Sequence, residues 1–293
     1  MRLPVRPRRS VLYVPGSNPR ALAKARSVPA DALILDLEDA VAPEAKEEAR
    51  RRVVQVLEEG GHGGREILIR VNGEETPWGE PDLAAAARSG ADGVLLPKVE
   101  RADTVRRAEE RLAWAGAPSG MALWCMLETP GGILAAREVA CASNRIGGLV
   151  AGTSDLTNDL GARATPLRLE VMTSLGLILL AARATGLCAL DGVHLDLADE
   201  KGFEQICRQG RDLGFDGKTL IHPRTVEVAN RVFAPDEREI LLARRIVTAH
   251  AEALARKEAV VVVDGRLVEA LHVEGALRLL ALAEAIAKRD AVR

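Results

Sequence analysis

The sequence predicts an α/β protein built as a TIM (β/α)8 barrel with a C-terminal helical and hairpin extension. Three observations carry that prediction. Eight short apolar runs alternate with helical patterns up to residue 223. Most of the runs are apolar throughout rather than alternating, as strands covered by helices on both faces are. Aromatic residues are scarce, with three Phe, three Trp and one Tyr, so the core must be aliphatic.

The strands are expected at VLYVP (11–15), ALILDL (32–37), EILIRV (66–71), GVLLPK (93–98), ALWCML (122–127), GLVAG (148–152), LCALDGV (187–193) and KTLIHP (218–223). The clearest helix starts at Pro43, repeats Ala45, Ala49, Val53 and Val56 at helical spacing, and stops at Gly60. DTVRRAEERLAWAG (103–116) and GGILAAREVACA (131–142) read likewise. Beyond the eighth strand the alternation ends, which sets a barrel over 1–235 and an extension over 236–293. Asp236 and Glu239 are spaced as a capping box ahead of a long amphipathic helix. AVVVVDGRLVEAL reads as a hairpin turning at Asp264-Gly265. A last helix carries Leu279, Leu282, Ala283 and Ile286 on one face.

Composition excludes several classes. The formal net charge is -2 with acids and bases interspersed, so no nucleic-acid footprint is present. The run VMTSLGLILLAA (171–182) is too short to span a bilayer. No membrane partner is expected, and cytoplasm is the default location. Cys125, Cys141, Cys188 and Cys207 have no C-x-x-C spacing and are expected as reduced, buried small hydrophobes.

In such a barrel, chemistry gathers at the C-terminal strand ends, where eight loops converge. Those ends hold Asp36, Glu38 and Asp39 after strand 2, Arg70 and Asn72 after strand 3, Lys98, Glu128, Asp155, Asp191 and His222. That many carboxylates against Arg70 and Lys98 require protons or a cation to offset them. Glu128 and Asp155 come from adjacent strands and can share one hard cation such as Mg2+, which takes one or two protein carboxylates. Asp36, Glu38 and Asp39 would then hold metal waters or Arg70. In ETPGG (128–132), Gly131 opens a helix whose free N–H groups suit a substrate carboxylate; a tight loop needing small residues explains the motif equally well. Lys98 reads as a counter-ion more simply than as a Schiff-base lysine. His222, before Pro223, reads as a base, a ligand or a structural hydrogen-bonder. His62 is expected to be solvent-exposed at the opposite rim.

RSVLYVPGSNPRALAKA, DALILDLEDAV, IRVN, LLPKVE, MLETPGGILAAREVA, LVAGTSDLTNDLGA, ALDGVHLD and GFDGKTLIHPRTVEVAN together resemble the citrate lyase β-subunit-like proteins of the HpcH/HpaI aldolase superfamily. The resemblance runs in order over most of the chain. It implies Mg2+-dependent (or Mn2+-dependent) cleavage or formation of a carbon–carbon bond in a β-hydroxyacyl-CoA thioester, with CoA as part of the substrate. It also implies a homotrimer or hexamer of trimers. By matching motifs, Glu128 and Asp155 are the metal ligands and Arg70 meets the thioester carbonyl and its enolate. Glu38 and Asp39 hold metal waters and Arg70, with Asp36 and Lys98 at the substrate.

Where relatives resemble MIDAP near the C-terminus, this chain has LVEAL, placing Glu269 as the acid or base that a lid would bring to a neighbouring subunit's site. The ETPGG turn also replaces a commoner Ala-Arg-Gly-type sequence. Arg20 and Lys24 are the candidates for the CoA nucleotide. Two other readings remain open: an aldolase acting on free 2-oxo acids, and an acyl-carrier-dependent citrate lyase β subunit or CoA-ester-binding protein inactive alone.

Overall fold

Eight strands pair in chain order as parallel neighbours, and the last returns to the first to close a barrel. They are β1 (Ser10–Pro15), β2 (Ala32–Asp36), β3 (Glu66–Arg70), β4 (Gly93–Leu96), β5 (Ala122–Leu127), β6 (Ile146–Ala151), β7 (Cys188–Asp191) and β8 (Gly217–Leu220). The computed structural model describes residues 6–256, 258 and 260–291. Around the barrel run α1 (Pro19–Ala25), α2 (Lys46–Glu59), α3 (Gly79–Arg88), α4 (Ala102–Trp114), α5 (Pro130–Leu134), α6 (Ala136–Ala140), α7 (Thr153–Asp159), α8 (Met172–Thr185), α9 (Glu200–Leu213) and α10 (Val226–Phe233). All eight expected strands are present. The (β/α)8 barrel fold is therefore the one the sequence predicts.

Two periodicities build it. Along α2, Ala49 and Val53 recur at helical spacing on the buried face, and Gly60 ends the helix at a positive φ of 67°. Along each strand, alternate residues face opposite sides. One set, including Val11, Ile34, Leu68, Leu95, Trp124, Met126, Val150 and Leu190, packs inside the barrel. The other, including Leu33, Leu35, Ile69, Val94, Leu123, Cys125 and Ala189, packs against the helices. The N-terminal floor of the barrel is sealed by Arg8, whose Nη2 donates to Glu66 Oε1 at 2.8 Å and whose guanidinium lies 5.0 Å from the Trp124 ring.

Strand parity corrects one expectation. Asp191 shares the outward set with Ala189, so it faces the helices instead of the mouth. There it is fully buried, accepting from Arg168 Nη1 at 2.7 Å and Lys218 Nζ at 2.8 Å. Burial alone would raise its pKa, but the Lys218 and Arg168 charges hold it below the usual carboxylate range. Removing one member of a buried ion cluster strands the others without a partner. Asp191→Ala should lower the unfolding free energy by about 3–5 kcal/mol in urea denaturation. A loss under about 1 kcal/mol would show that the cluster is not a structural anchor.

Three smaller expectations also change. The segment 131–142 is two five-residue helices meeting at Ala135 (φ -90°, ψ 5°), a break that lets Ile133, Ala136 and Val139 all reach the core. His62 is buried, with its carbonyl taken by Arg65 Nε at 2.6 Å where that guanidinium gathers the α1–β2 and α2–β3 loops. Cys141 is exposed at the end of α6, whereas Cys125 and Cys207 are buried and Cys188 is half-buried.

The chain from Ala234 onward forms a separate compact unit. It contains α11 (Glu237–Ala255), an antiparallel hairpin of β9 (Val261–Val263) and β10 (Arg266–Val268), and α12 (Ala270–Asp290). The Asp236–Glu239 capping box is formed, with N–H to carboxylate distances of 2.8 and 2.7 Å. Asp264 and Gly265 have φ of 48° and 74°, the left-handed pair that a tight two-residue hairpin requires. Among the described residues, no helix is long and apolar enough to cross a membrane.

Candidate active site

At the C-terminal mouth, the inward parity of β2 and β3 brings Asp36 and Arg70 together. They form a two-pronged pair, Arg70 Nε to Asp36 Oδ1 at 2.7 Å and Nη2 to Oδ2 at 2.6 Å. Arg70 Nη1 lies 3.1 Å from Glu38 and 3.3 Å from Asp39, and its guanidinium sits 4.8 Å from the Tyr13 ring centroid. Three carboxylates and an aromatic face thus fix one guanidinium in a single orientation. Despite burial, the Asp36 bond keeps Arg70 charged beyond its ordinary range.

The loop after β2 is folded to present these acids. Asp36 accepts backbone N–H bonds from Glu38 at 2.9 Å and Ala40 at 3.2 Å. Lys46 Nζ donates to the carbonyls of Leu37 and Glu38, and Asn72 Nδ2 donates to Leu37 O at 2.9 Å. Burial pushes the Glu38 carboxyl up, against the pull of Arg70. Asp39 feels burial too, yet its hydrogen bond with Glu38 and the Arg70 and Lys98 charges bring it below the usual range. Asp39 is therefore the more acidic, half-exposed member of the pair. A cavity of about 320 Å3 opens beside Glu38, Asp39 and Lys98, walled on its far side by Lys46, Asn72 and Trp78.

Across the mouth, Glu128 continues the inward set of β5 and is 1% exposed. A Cβ at Gly152 would lie 2.2 Å from Glu128 Cβ, so only glycine leaves room for this carboxylate. Glu128 Oε1 accepts the Lys98 backbone N–H at 2.8 Å. Burial, reinforced by the nearby Asp155 charge, raises Glu128 to about 8. Among the described residues, no three His, Cys, Asp or Glu side chains form a ready-made metal cage. A pair of carboxylates is nonetheless the donor set Mg2+ usually takes, with water and substrate completing the octahedron. Burial beside Asp155 disfavours the charged form of Glu128, and a divalent cation would relieve that penalty. On donor chemistry the residues fit the ion.

This gives a signed pH prediction. A carboxyl raised to about 8 in the fold binds a proton that the unfolded chain releases near pH 4.5. Its stabilising contribution is complete below the unfolded value and is lost as pH rises through about 8. A cation replaces that proton, so Mg2+ should raise the thermal midpoint more at pH 8.5 than at pH 6. Scanning calorimetry with and without EDTA checks this, and an equal or inverted response would refute it.

Other expected site residues are placed as follows. Gly131 lies exposed in a helix only five residues long, with a Glu100 carboxyl oxygen 3.3 Å from where its Cβ would be. Arg20 and Lys24 are exposed on α1. His222 Nδ1 accepts from Arg224 N–H at 3.2 Å, capping a short turn, which is the structural one of its three readings. Glu269, in the C-terminal unit, starts α12 with its backbone N–H donating to His272 Nδ1 at 3.1 Å. Sequence reasoning passed over Tyr13 and Lys46. Tyr13 shares the inward parity of Val11, a signal that was available; nothing local marks Lys46.

Three comparisons bear on this site. Residues 9–223 match the family model described as HpcH/HpaI aldolase/citrate lyase. A (3S)-malyl-CoA thioesterase of Cereibacter sphaeroides (strain KD131 / KCTC 12085) is 50% identical over 281 residues, covering 96% of each chain. The citrate lyase subunit beta of Escherichia coli (strain K12) is 39% identical over 95% of this chain and 94% of its own. The crystal structure of CitE from Mycobacterium tuberculosis in complex with magnesium, acetoacetate and coenzyme A superposes with a TM-score of 0.75. It is 29% identical and covers 94% of this chain and 97% of that one.

Proposed function

The chain belongs to the HpcH/HpaI aldolase/citrate lyase family, and from that premise we propose that it is a divalent-cation-dependent enzyme of malyl-type CoA thioesters, with thioester hydrolysis as its net reaction. The observation that carries this reading is the Arg70 guanidinium fixed by Asp36, Glu38 and Asp39 at the same mouth as the buried Glu128. The 50% identity to a malyl-CoA thioesterase supports the acyl group and the hydrolytic outcome.

A Mg2+ ion held by Glu128 and Asp155 would polarise and orient the oxygen atoms of the acyl group. The chain's own residues supply the rest. Arg70 faces the thioester oxygen and stabilises the negative charge that develops there, a preorganised effect that costs no reorientation at the moment of reaction. Asp36 and the Tyr13 ring hold that guanidinium still. In hydrolysis, water adds to the thioester carbon as Asp39 takes its proton, the C–S bond breaks, and Asp39 returns that proton to the departing thiolate, releasing CoA thiol and the free acid. Arg20 and Lys24, exposed on α1, would meet the nucleotide end of CoA.

A second reading, carbon–carbon cleavage, is favoured by the citrate lyase β-subunit relatives. There the β-hydroxyl loses its proton, the bond between the α and β carbons breaks to give a 2-oxo acid, and the thioester enolate is protonated at carbon. Both routes place negative charge on the same oxygen, so Arg70 serves either. In this reading residues 236–293 form a lid in a trimer or hexamer, with Glu269 supplying acid or base to a neighbouring subunit; a monomer in sedimentation would remove that role.

The test is incubation with (3S)-malyl-CoA under Mg2+ or EDTA. Hydrolysis gives thiol and malate; carbon–carbon cleavage gives glyoxylate and acetyl-CoA with no thiol. Mg2+-dependent thiol release supports the first reading and glyoxylate the second. Neither product from malyl-, citramalyl- or citryl-CoA would overturn both.

A further inference from the structure

Lys98 touches both halves of the mouth at once. Its Nζ lies 3.0 Å from Glu38 Oε1, 3.7 Å from Asp39 Oδ1 and 3.7 Å from Asp155 Oδ2. Its backbone N–H is committed to Glu128 at 2.8 Å, and its φ of 47° is one of three positive values among the described non-glycine residues. A side chain that continued the alternation of Val94 and Leu96 would face the helices. The left-handed backbone departs from that alternation, and such strain persists where the surroundings over-determine it.

We propose that Lys98 is a built-in competitor of the divalent cation: its ammonium neutralises Asp155 in the metal-free protein and yields that carboxylate, keeping Glu38, when the ion binds. The inference rests on the reading that Glu128 and Asp155 hold the cation. Its geometry is suited to the exchange. The Glu38 contact is short and faces a largely buried carboxylate, whereas the Asp155 contact is long and joins two partly exposed groups, with side chains 44% and 37% exposed. The looser contact is the one to be released. The backbone bond to Glu128 keeps the Lys98 Cα in place while the side chain moves.

Competition and simple support predict opposite signs. Were Lys98 only a prop for the acidic cluster, removing its ammonium would weaken cation binding. As a competitor, its removal strengthens binding. Magnesium titration calorimetry on the full chain should give a dissociation constant roughly twofold to fivefold lower for Lys98→Met, the scale of a partly exposed charge pair. Lys98→Arg, which keeps the charge, should stay near the unsubstituted protein. A Lys98→Met value unchanged or weaker, in a variant with an unaltered melting profile, overturns the proposal. The lysine NMR of the unsubstituted protein supplies a reading independent of any variant's folding: Mg2+ should shift the Lys98 ε resonance, identified by its absence in Lys98→Arg. An unmoved resonance while Mg2+ binds also overturns the proposal. Failure of the unsubstituted protein to bind Mg2+ would instead overturn the metal assignment on which it rests.

Discussion

Arg70→Lys should lower turnover of the productive thioester about a hundredfold to a thousandfold while the barrel stays folded. The substitution keeps a cation beside Asp36, so no buried carboxylate is stranded. What it removes is the fork: the parallel bonds from Nε and Nη2 to Asp36, at 2.7 and 2.6 Å, and the third arm toward Glu38 and Asp39. An ammonium can meet one of these carboxylates well, but cannot hold a planar orientation over the Tyr13 ring. The stated loss is the size seen when one preorganised donor to a developing oxyanion is removed. It should fall on kcat rather than KM, because the interaction strengthens only as charge develops. Steady-state kinetics with whichever of the tested thioesters is turned over measures it. A loss under tenfold would remove Arg70 from the reaction.

Glu128→Gln should abolish the response to Mg2+ and with it the activity, yet leave the metal-free protein more stable at alkaline pH. The amide oxygen can still accept the Lys98 N–H, and the shape is nearly preserved in the space that Gly152 leaves. The charge is not preserved. Above about pH 8 the native carboxyl is ionised in a buried place beside Asp155, an arrangement that burial penalises. A neutral glutamine escapes that penalty. At pH 9 without metal the variant should therefore melt higher than the unsubstituted chain, and added Mg2+ should reverse the order. Equal Mg2+ affinity in the two proteins by calorimetry would remove Glu128 as a ligand.

Much of this was written in the order of elements. The apolar runs from VLYVP to KTLIHP mark the eight strands, and knowing that they close a barrel is enough to gather Asp36, Arg70 and Glu128 at one rim. Parity along a strand decides which of those rim residues enter the mouth. Asp36 stands two residues beyond inward Ile34 and Glu128 two beyond inward Met126, so both point inward; Asp191 is next to inward Leu190 and points out. Reading strand ends without parity therefore overstated the acidic cluster. The rest depends on contacts between distant segments. Lys46 reaches two carbonyls of the loop after β2 from the start of α2, and Lys98 joins acids from two segments through a backbone conformation that its own residue type disfavours. His62 is hidden by Arg65 binding the neighbouring loops. None of these has a local signature.

The packed interior around Trp124, with Arg8 and Glu66 beneath it, leaves the C-terminal mouth as the way into the barrel. If the substrate is the proposed thioester, water must come in by the side on which it arrives, and both products must depart by the same route. Kinetically this is a last-in, first-out queue. On the hydrolytic reading the acyl end would lie deepest, against Arg70, so CoA thiol would leave first and the free acid would follow. The small acid alone should then compete with incoming substrate, which gives product-inhibition patterns a direct geometric meaning.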